Sequence, residues 1–144
     1  MTPLSLGGEK YYLSFRDDAT SWAELELIKK NSNAFGIIKK KFSQCEAMHG
    51  VKMKAFRSDT GGEFTSHAFV EYLASSGCKH EVSAAYAQEQ NGVAERVNRT
   101  IVGRAKAMLY GAQLPPFLWA EAQRTAVYIM NRTPTRSQTK TPSQ

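Results

Sequence analysis

Apolar and polar positions change period several times along the chain, and each change marks an element. YYLSF (11–15) is a short aromatic, β-prone run, DDATS (17–21) is polar, and WAELELI (22–28) alternates apolar and charged positions with period two. Two such runs around a polar turn predict a β-hairpin, with Trp22, Leu25 and Leu27 imperfectly phased. Asn31 or Ser32 is placed to cap a helix in which Phe35, Ile38, Phe42 and Cys45 recur at three and four residues, with Gly50 as its stop. VKMKAF (51–56) alternates again and predicts a third strand. A second helix runs from about Ser66 with Phe69, Val70 and Leu73 on one face and Gly77 as its stop, and KHEV (79–82) predicts a further short strand.

SAAYAQEQN (83–91) has no helical stripe and predicts a loop, although its alanines and glutamines are able to lengthen the helix that follows. That helix, from Gly92 to about Leu109, carries Val93, Val97, Ile101, Ala105 and Met108 as its apolar stripe. Pro115 and Pro116 open a last helix with Trp119, Ala122, Ala126, Ile129 and Met130 facing inward. Trp119 and Tyr128 are expected in the core. Residues 134–144 are polar and proline-bearing, an expected extended tail after a core spanning 1–133. The order hairpin, helix, strand, helix, strand, helix, helix predicts an α/β fold, a mixed sheet with flanking helices.

Composition narrows the class. A length of 144 residues is enough for one hydrophobic core, and 42% hydrophobic with 22% charged residues is an ordinary globular balance. The apolar runs fall far short of the roughly 18 residues that a membrane-spanning helix needs, so no membrane partner is expected. Pro3, Gly7 and Gly8 interrupt the start where a secretory signal needs a continuous apolar run, and an intracellular protein is expected. Cys45 and Cys78, with 32 residues between them, match neither a CxxC pair nor a disulfide framework, and both are expected as buried thiols. His49, His67 and His80 lack the spacing of a zinc finger. A net charge of +6 leaves a polyanion as a partner.

RSDTGGEF (57–64) follows the predicted third strand, where a carboxylate at the end of a sheet projects into a crevice. By itself Asp-x-Gly-Gly is also good turn chemistry. Glu95 lies in the first turn of the next long helix, with 35 residues between it and Asp59. At about 100° per residue from Val93, the apolar stripe centres near about 80° and Glu95 falls near about 200°, away from the core. An ion pair with Arg99 at i+4 is the plain structural alternative for Glu95. Glu63 is expected to be structural or solvated, and Gly61 and Gly62 to allow a tight backbone path.

The motifs RSDTGGEF, QNGVAERVNRT and LPPFLWAEAQRTAVYIMNRTPT together resemble the catalytic core of a retrotransposon integrase of the Ty1/copia type, over nearly the whole chain from YYLSFRDDATS to NRTPT. The resemblance implies an RNase H-like fold and an Asp, Asp, Glu triad that binds divalent metal, Mg²⁺ or Mn²⁺, and catalyses DNA strand transfer in the nucleus. By the same resemblance Asp59 matches the second acid and Glu95 the third, and the 35-residue gap is the family's. Mg²⁺ takes oxygen ligands, so carboxylates suit it and His or Cys need not appear. Around Glu95, Arg96, Arg99, Arg104 and Lys106 spread over the helix and are expected to meet phosphate, with Asn91 either contacting DNA or capping the helix. Tyr86 is placed to stack on a base or to pack on the core. A homo-oligomer is a further expectation.

The sequence also departs from the family. Its first acid belongs to a T-D-x-x-G-P segment ahead of the strand matched by YYLSF, and here MTPLSLGG stands close to that point. The first catalytic Asp and its strand are therefore expected to be missing, and the chain to be inactive alone. Asp17 and Asp18 match the family's Asp-rich turn instead. Ala85 and Ala87 stand where the family has prolines and Thr or Ser, and Glu89 where it has Gln, which implies a looser rim beside the site. The alternative is a non-catalytic nucleic-acid-binding or interaction remnant of a transposon polyprotein.

Overall fold

The computed structural model describes residues 3–58, 62–82, 88–135 and 140–143, and for 88–91 the backbone alone. The chain divides into two compact units, one formed by Met1–Lys30 with Ala94–Gln144 and the other by Asn31–Val93.

In the first unit, β1 (Tyr11–Arg16) and β2 (Ala23–Ile28) pair antiparallel, from Tyr11 opposite Ile28 to Arg16 opposite Ala23. The hairpin predicted from alternation is therefore present, and its polar turn is tied by Asp17, whose carboxylate accepts from the Thr20 backbone N–H at 3.0 Å and from its hydroxyl at 2.7 Å. Two helices belong with it: α4, which runs Gln88–Gly111, from Ala94 onward, and α5 (Trp119–Arg132), entered through a short 3-10 turn at Pro116–Leu118. Ala23, Ile101, Ala126 and Val127 form the core, packed by Leu25, Val97, Met108 and Met130. Trp119 is buried, donates its indole N–H to the Pro3 carbonyl at 2.9 Å, and meets Tyr12 at 6.4 Å between ring centroids.

Asn131 holds β2 to α5. Its amide N–H donates to the Ala23 carbonyl at 2.8 Å and its amide oxygen accepts the Ala23 N–H at 2.9 Å, so a side chain imitates a neighbouring strand on a buried edge. Replacing Asn131 with Ala strands both backbone groups, each costing about 1–3 kcal/mol when buried without a partner. Urea denaturation of Asn131→Ala is expected to show a loss of roughly 2–4 kcal/mol, where a merely solvated asparagine would show a few tenths.

In the second unit, α1 (Ala34–His49) buries Ala34, Ile38 and Phe42, spaced one turn apart, and ends at Gly50, whose φ of 65° is the left-handed conformation that glycine adopts freely. β3 (Ala55–Ser58) and β4 (Lys79–Val82) pair in parallel, from Ala55 opposite Lys79 to Ser58 opposite Val82. Between them lie the single-turn α2 (Gly62–Thr65) and α3 (His67–Ser75), the latter capped by the Ser66 hydroxyl. Phe69 and Leu73 of α3 face inward, and Phe35, Phe42, Phe56, Phe64, Phe69 and Tyr72 meet in a chain of edge-on and tilted ring contacts.

Three inward-facing expectations are corrected. Val70, Tyr128 and Ile129 are exposed, at 45%, 59% and 43%. On α3 the wide aromatic faces of Phe69 and neighbours fill the interior without Val70. On α5 the predicted Trp119, Ala122 and Ala126 are buried, and the buried face extends to the side of Gln123, Val127 and Asn131, where Asn131 bonds to β2, and away from Tyr128 and Ile129. Cys78 is buried as expected and its thiol is pushed up by burial, whereas Cys45 is only half-buried. Among the described residues, no helix is long and apolar enough to cross a membrane.

Candidate metal and nucleic-acid site

Glu95 stands in α4, and the helix wheel places it as expected: its side chain is exposed, while Ile101 and Ala105 on the other side are buried. No ion pair or hydrogen bond engages Glu95 among the described residues, so the alternative pairing with Arg99 does not form. Arg96, Arg99, Arg104 and Lys106 are all exposed. They are less evenly spread than expected. Arg99 and Lys106 stand four and eleven residues beyond Glu95, spacings that return an α-helix to the same side, so one carboxylate and two cations share a solvent face of α4. Such a face offers an acceptor-only group that a hard cation can use, with cations on hand for phosphate oxygens. On the same helix the Asn98 side chain meets the Ser14 hydroxyl of β1 at 3.2 Å, and the buried Ile101 and Ala105 anchor the helix below.

Asp59, Gly61 and the 83–87 segment with Ala85, Tyr86 and Ala87 lie outside the described residues, as do the side chains of Glu89 and Asn91, whose backbone is helical in α4. What precedes Asp59 is well defined. β3 ends at Ser58, a buried residue whose hydroxyl lies 2.7 Å from His80 Nε2 on β4. On the opposite face of the same pair, Arg57 binds the Glu81 carboxylate through Nη2 at 3.0 Å and Nε at 3.3 Å. That hydrogen bond, with Lys79 nearby, holds the Glu81 carboxyl below its usual value despite some desolvation, and commits Glu81 to a cross-strand pair. Burial pushes the His80 imidazole below its ordinary value, so it is neutral near pH 7. Glu63 is half-buried on α2. Asp17 and Asp18 sit in the β1–β2 turn, and Asp17 is engaged by Thr20.

Sequence reasoning missed the Ser58–His80 contact. Only half of its signal is local: alternation puts His80 and Val82 on one side of KHEV and Phe56 and Ser58 on one side of β3, but the register that brings Ser58 to His80 comes from the strand pairing. Among the described residues, no group of three or more His, Cys, Asp or Glu side chains is gathered to hold a metal ion. The chemistry of the candidate acids nevertheless suits Mg²⁺ or Mn²⁺, since both supply hard carboxylate oxygens.

No protein-family model matches the chain. Over 130 residues it is 43% identical to the retrovirus-related Pol polyprotein from transposon TNT 1-94 of Nicotiana tabacum, an alignment covering 90% of this chain and 10% of that protein. The Pol polyproteins from transposons RE2 and RE1 of Arabidopsis thaliana are each 34% identical, over 92% of this chain and 9% of theirs. The chain thus spans about a tenth of the length of these relatives. Among solved structures, the simian T-cell lymphotropic virus intasome in complex with the PP2A regulatory subunit B56 gamma contains a chain that matches 92% of this one, with a TM-score of 0.69, 19% identity and 46% of its own length covered. The dimeric HTLV-2 integrase catalytic core domain in complex with magnesium matches 91% of this chain with a TM-score of 0.60 and 23% identity, over 79% of its length. The expected RNase H-like α/β class is therefore the observed one. By sequence the homologues of the chain are retrovirus-related Pol polyproteins of transposons, and its fold is that of integrase catalytic cores, consistent with the copia-type core that its motifs resemble.

Proposed function

We propose that this segment serves DNA integration, as the core of a metal-dependent polynucleotidyl transferase that processes retrotransposon DNA ends and joins them to target DNA. The observation that carries the reading is the exposed Glu95, with no partner among the described residues, sharing one face of α4 with Arg99 and Lys106, on a chain with the integrase catalytic-core fold. Asp59 and Glu95 are the acids that hold Mg²⁺ or Mn²⁺. Divalent cations at such a site activate the attacking oxygen and stabilise the leaving oxygen of a phosphodiester. Arg96, Arg99 and Lys106 neutralise phosphates and set the register of DNA on the helix, with Asn91 as a further DNA contact. Support for the metal comes from the HTLV-2 relative, described in complex with magnesium, and support for self-association from its dimeric and trimeric forms.

Fluorescence anisotropy with a labelled duplex across a salt series tests the DNA interface. Each phosphate neutralised contributes about 0.9 to the negative slope of log affinity against log salt. The variant Arg96→Ala/Arg99→Ala/Lys106→Ala is therefore expected to flatten that slope by roughly 2–3. An unchanged slope and affinity would remove these residues from the interface.

A further inference from the structure

The C-terminal end of β3 is fixed from both faces. Arg57 and Glu81 pair on the solvent side, and Ser58 meets His80 on the inner side, where the His80 ring lies tilted at 6.0 Å from Phe56 and edge-on at 5.5 Å from Phe69. In the register Phe56 lies opposite His80 and Ser58 opposite Val82, so the Ser58–His80 bond crosses the pair diagonally rather than linking direct partners. An aromatic hydrocarbon at position 80 fills that space equally well. A ring nitrogen turned on a buried hydroxyl adds direction, because it fixes the Ser58 side chain and with it the last peptide of the strand.

We propose that His80 is a positioning residue for the metal site, holding through Ser58 the strand end from which the chain continues into Asp59. The proposal rests on the reading of Asp59 as a metal ligand. His80 touches no reacting group. Its role is that of an outer partner, which orients a ligand without binding the ion, and the loss of such partners lowers metal affinity by about 10–100-fold.

Three single variants of the full 144-residue chain, with the Ser58→Ala/His80→Phe double variant, separate this role from packing. Ser58→Ala deletes the hydroxyl, His80→Phe keeps a ring among Phe56 and Phe69 without its nitrogens, and His80→Gln returns an amide close to the Nε2 position. Each is compared with the parent by calorimetric Mn²⁺ titration and by amide hydrogen exchange at the C-terminal ends of β3 and β4, with circular dichroism confirming the fold. Ser58→Ala and His80→Phe are expected to weaken Mn²⁺ binding by about tenfold and to speed that exchange, the double variant is expected to be no worse than either, and His80→Gln to recover most of both. Parental affinity in folded Ser58→Ala and His80→Phe overturns the proposal, as does a His80→Gln variant as weak as His80→Phe. If the parent itself binds no Mn²⁺, the metal reading fails separately. The exchange data then decide the remainder: faster exchange restored by Gln upholds His80 as the group that fixes the strand end, and unchanged exchange overturns it.

Discussion

Phe69→Ala is expected to destabilise the chain by about 3–5 kcal/mol, the range for emptying a fully buried aromatic site. Phe69 has no exposed surface, and its ring lies 5.6 Å from Phe35, 5.7 Å from Phe56, 5.9 Å from Phe64 and 5.5 Å from His80. It therefore joins α1, β3, α2, α3 and β4 in one contact set, with four ring neighbours, as many as Phe56 has among the described residues. Small domains have only about 5–15 kcal/mol in total, so the loss removes a large share of it. Collapse of the neighbouring rings into the space is opposed because each also contacts another ring, edge-on or tilted. Urea denaturation followed by circular dichroism measures the effect, with Phe69→Leu as a milder comparison expected to cost well under half as much. A midpoint for Phe69→Ala within error of the parent would mean that the cluster is not the core of its unit.

Glu95→Gln is expected to lower Mn²⁺ affinity at least tenfold while leaving stability within about 0.5 kcal/mol, the usual range for an exposed substitution. The two halves of this expectation have separate causes. Glu95 is exposed and engages no partner among the described residues, so the amide disturbs no native contact, and Gln is as good a helix former as Glu. The affinity falls because an amide oxygen carries no charge to offer a hard dication. Asp59→Asn is expected to show the same loss. Glu63→Gln and Asp18→Asn, acids outside the proposed ligand set, are expected to bind as the parent does. Loss in all four variants would point to diffuse attraction of Mn²⁺ by surface charge, and loss in none would remove Glu95 from the site.

Much of this architecture was legible because it rests on local periodicity. The stripe Val97, Ile101, Ala105 and Met108 fixed the buried side of α4 and, by subtraction, the exposure of Glu95. Gly50 and Ser66 marked helix ends through backbone and capping chemistry that requires no tertiary partner. Where the reading went astray, distant partners decided. VKMKAF suggested a strand over 51–56, yet β3 is Ala55–Ser58, because the four residues of β4 set its length and Phe56 takes the inner side while Val51 is 64% exposed. The α4 helix begins at Gln88, inside the stretch expected as a loop, in keeping with the glutamines noted there as able to extend it. On α5 the predicted Trp119, Ala122 and Ala126 are buried, but the buried face is wider and takes in Gln123, Val127 and Asn131, and an Asn131 side chain serving as a strand surrogate leaves no periodic trace. The proposed site rests on the types and order of acids and cations in the sequence. The bond from His80 to Ser58 was not legible there, for it joins residues 22 apart across a parallel pair whose register no local pattern dictates.

The central claim is that Asp59 and Glu95 make this chain a binder of divalent metal. Calorimetric titration of Mn²⁺ into the 144-residue chain, shown to be folded by circular dichroism, tests it most directly. The account predicts a saturable binding heat that disappears in both Asp59→Asn and Glu95→Gln. A folded parent chain that gives only dilution heats, or saturable heats that survive both substitutions, would contradict it.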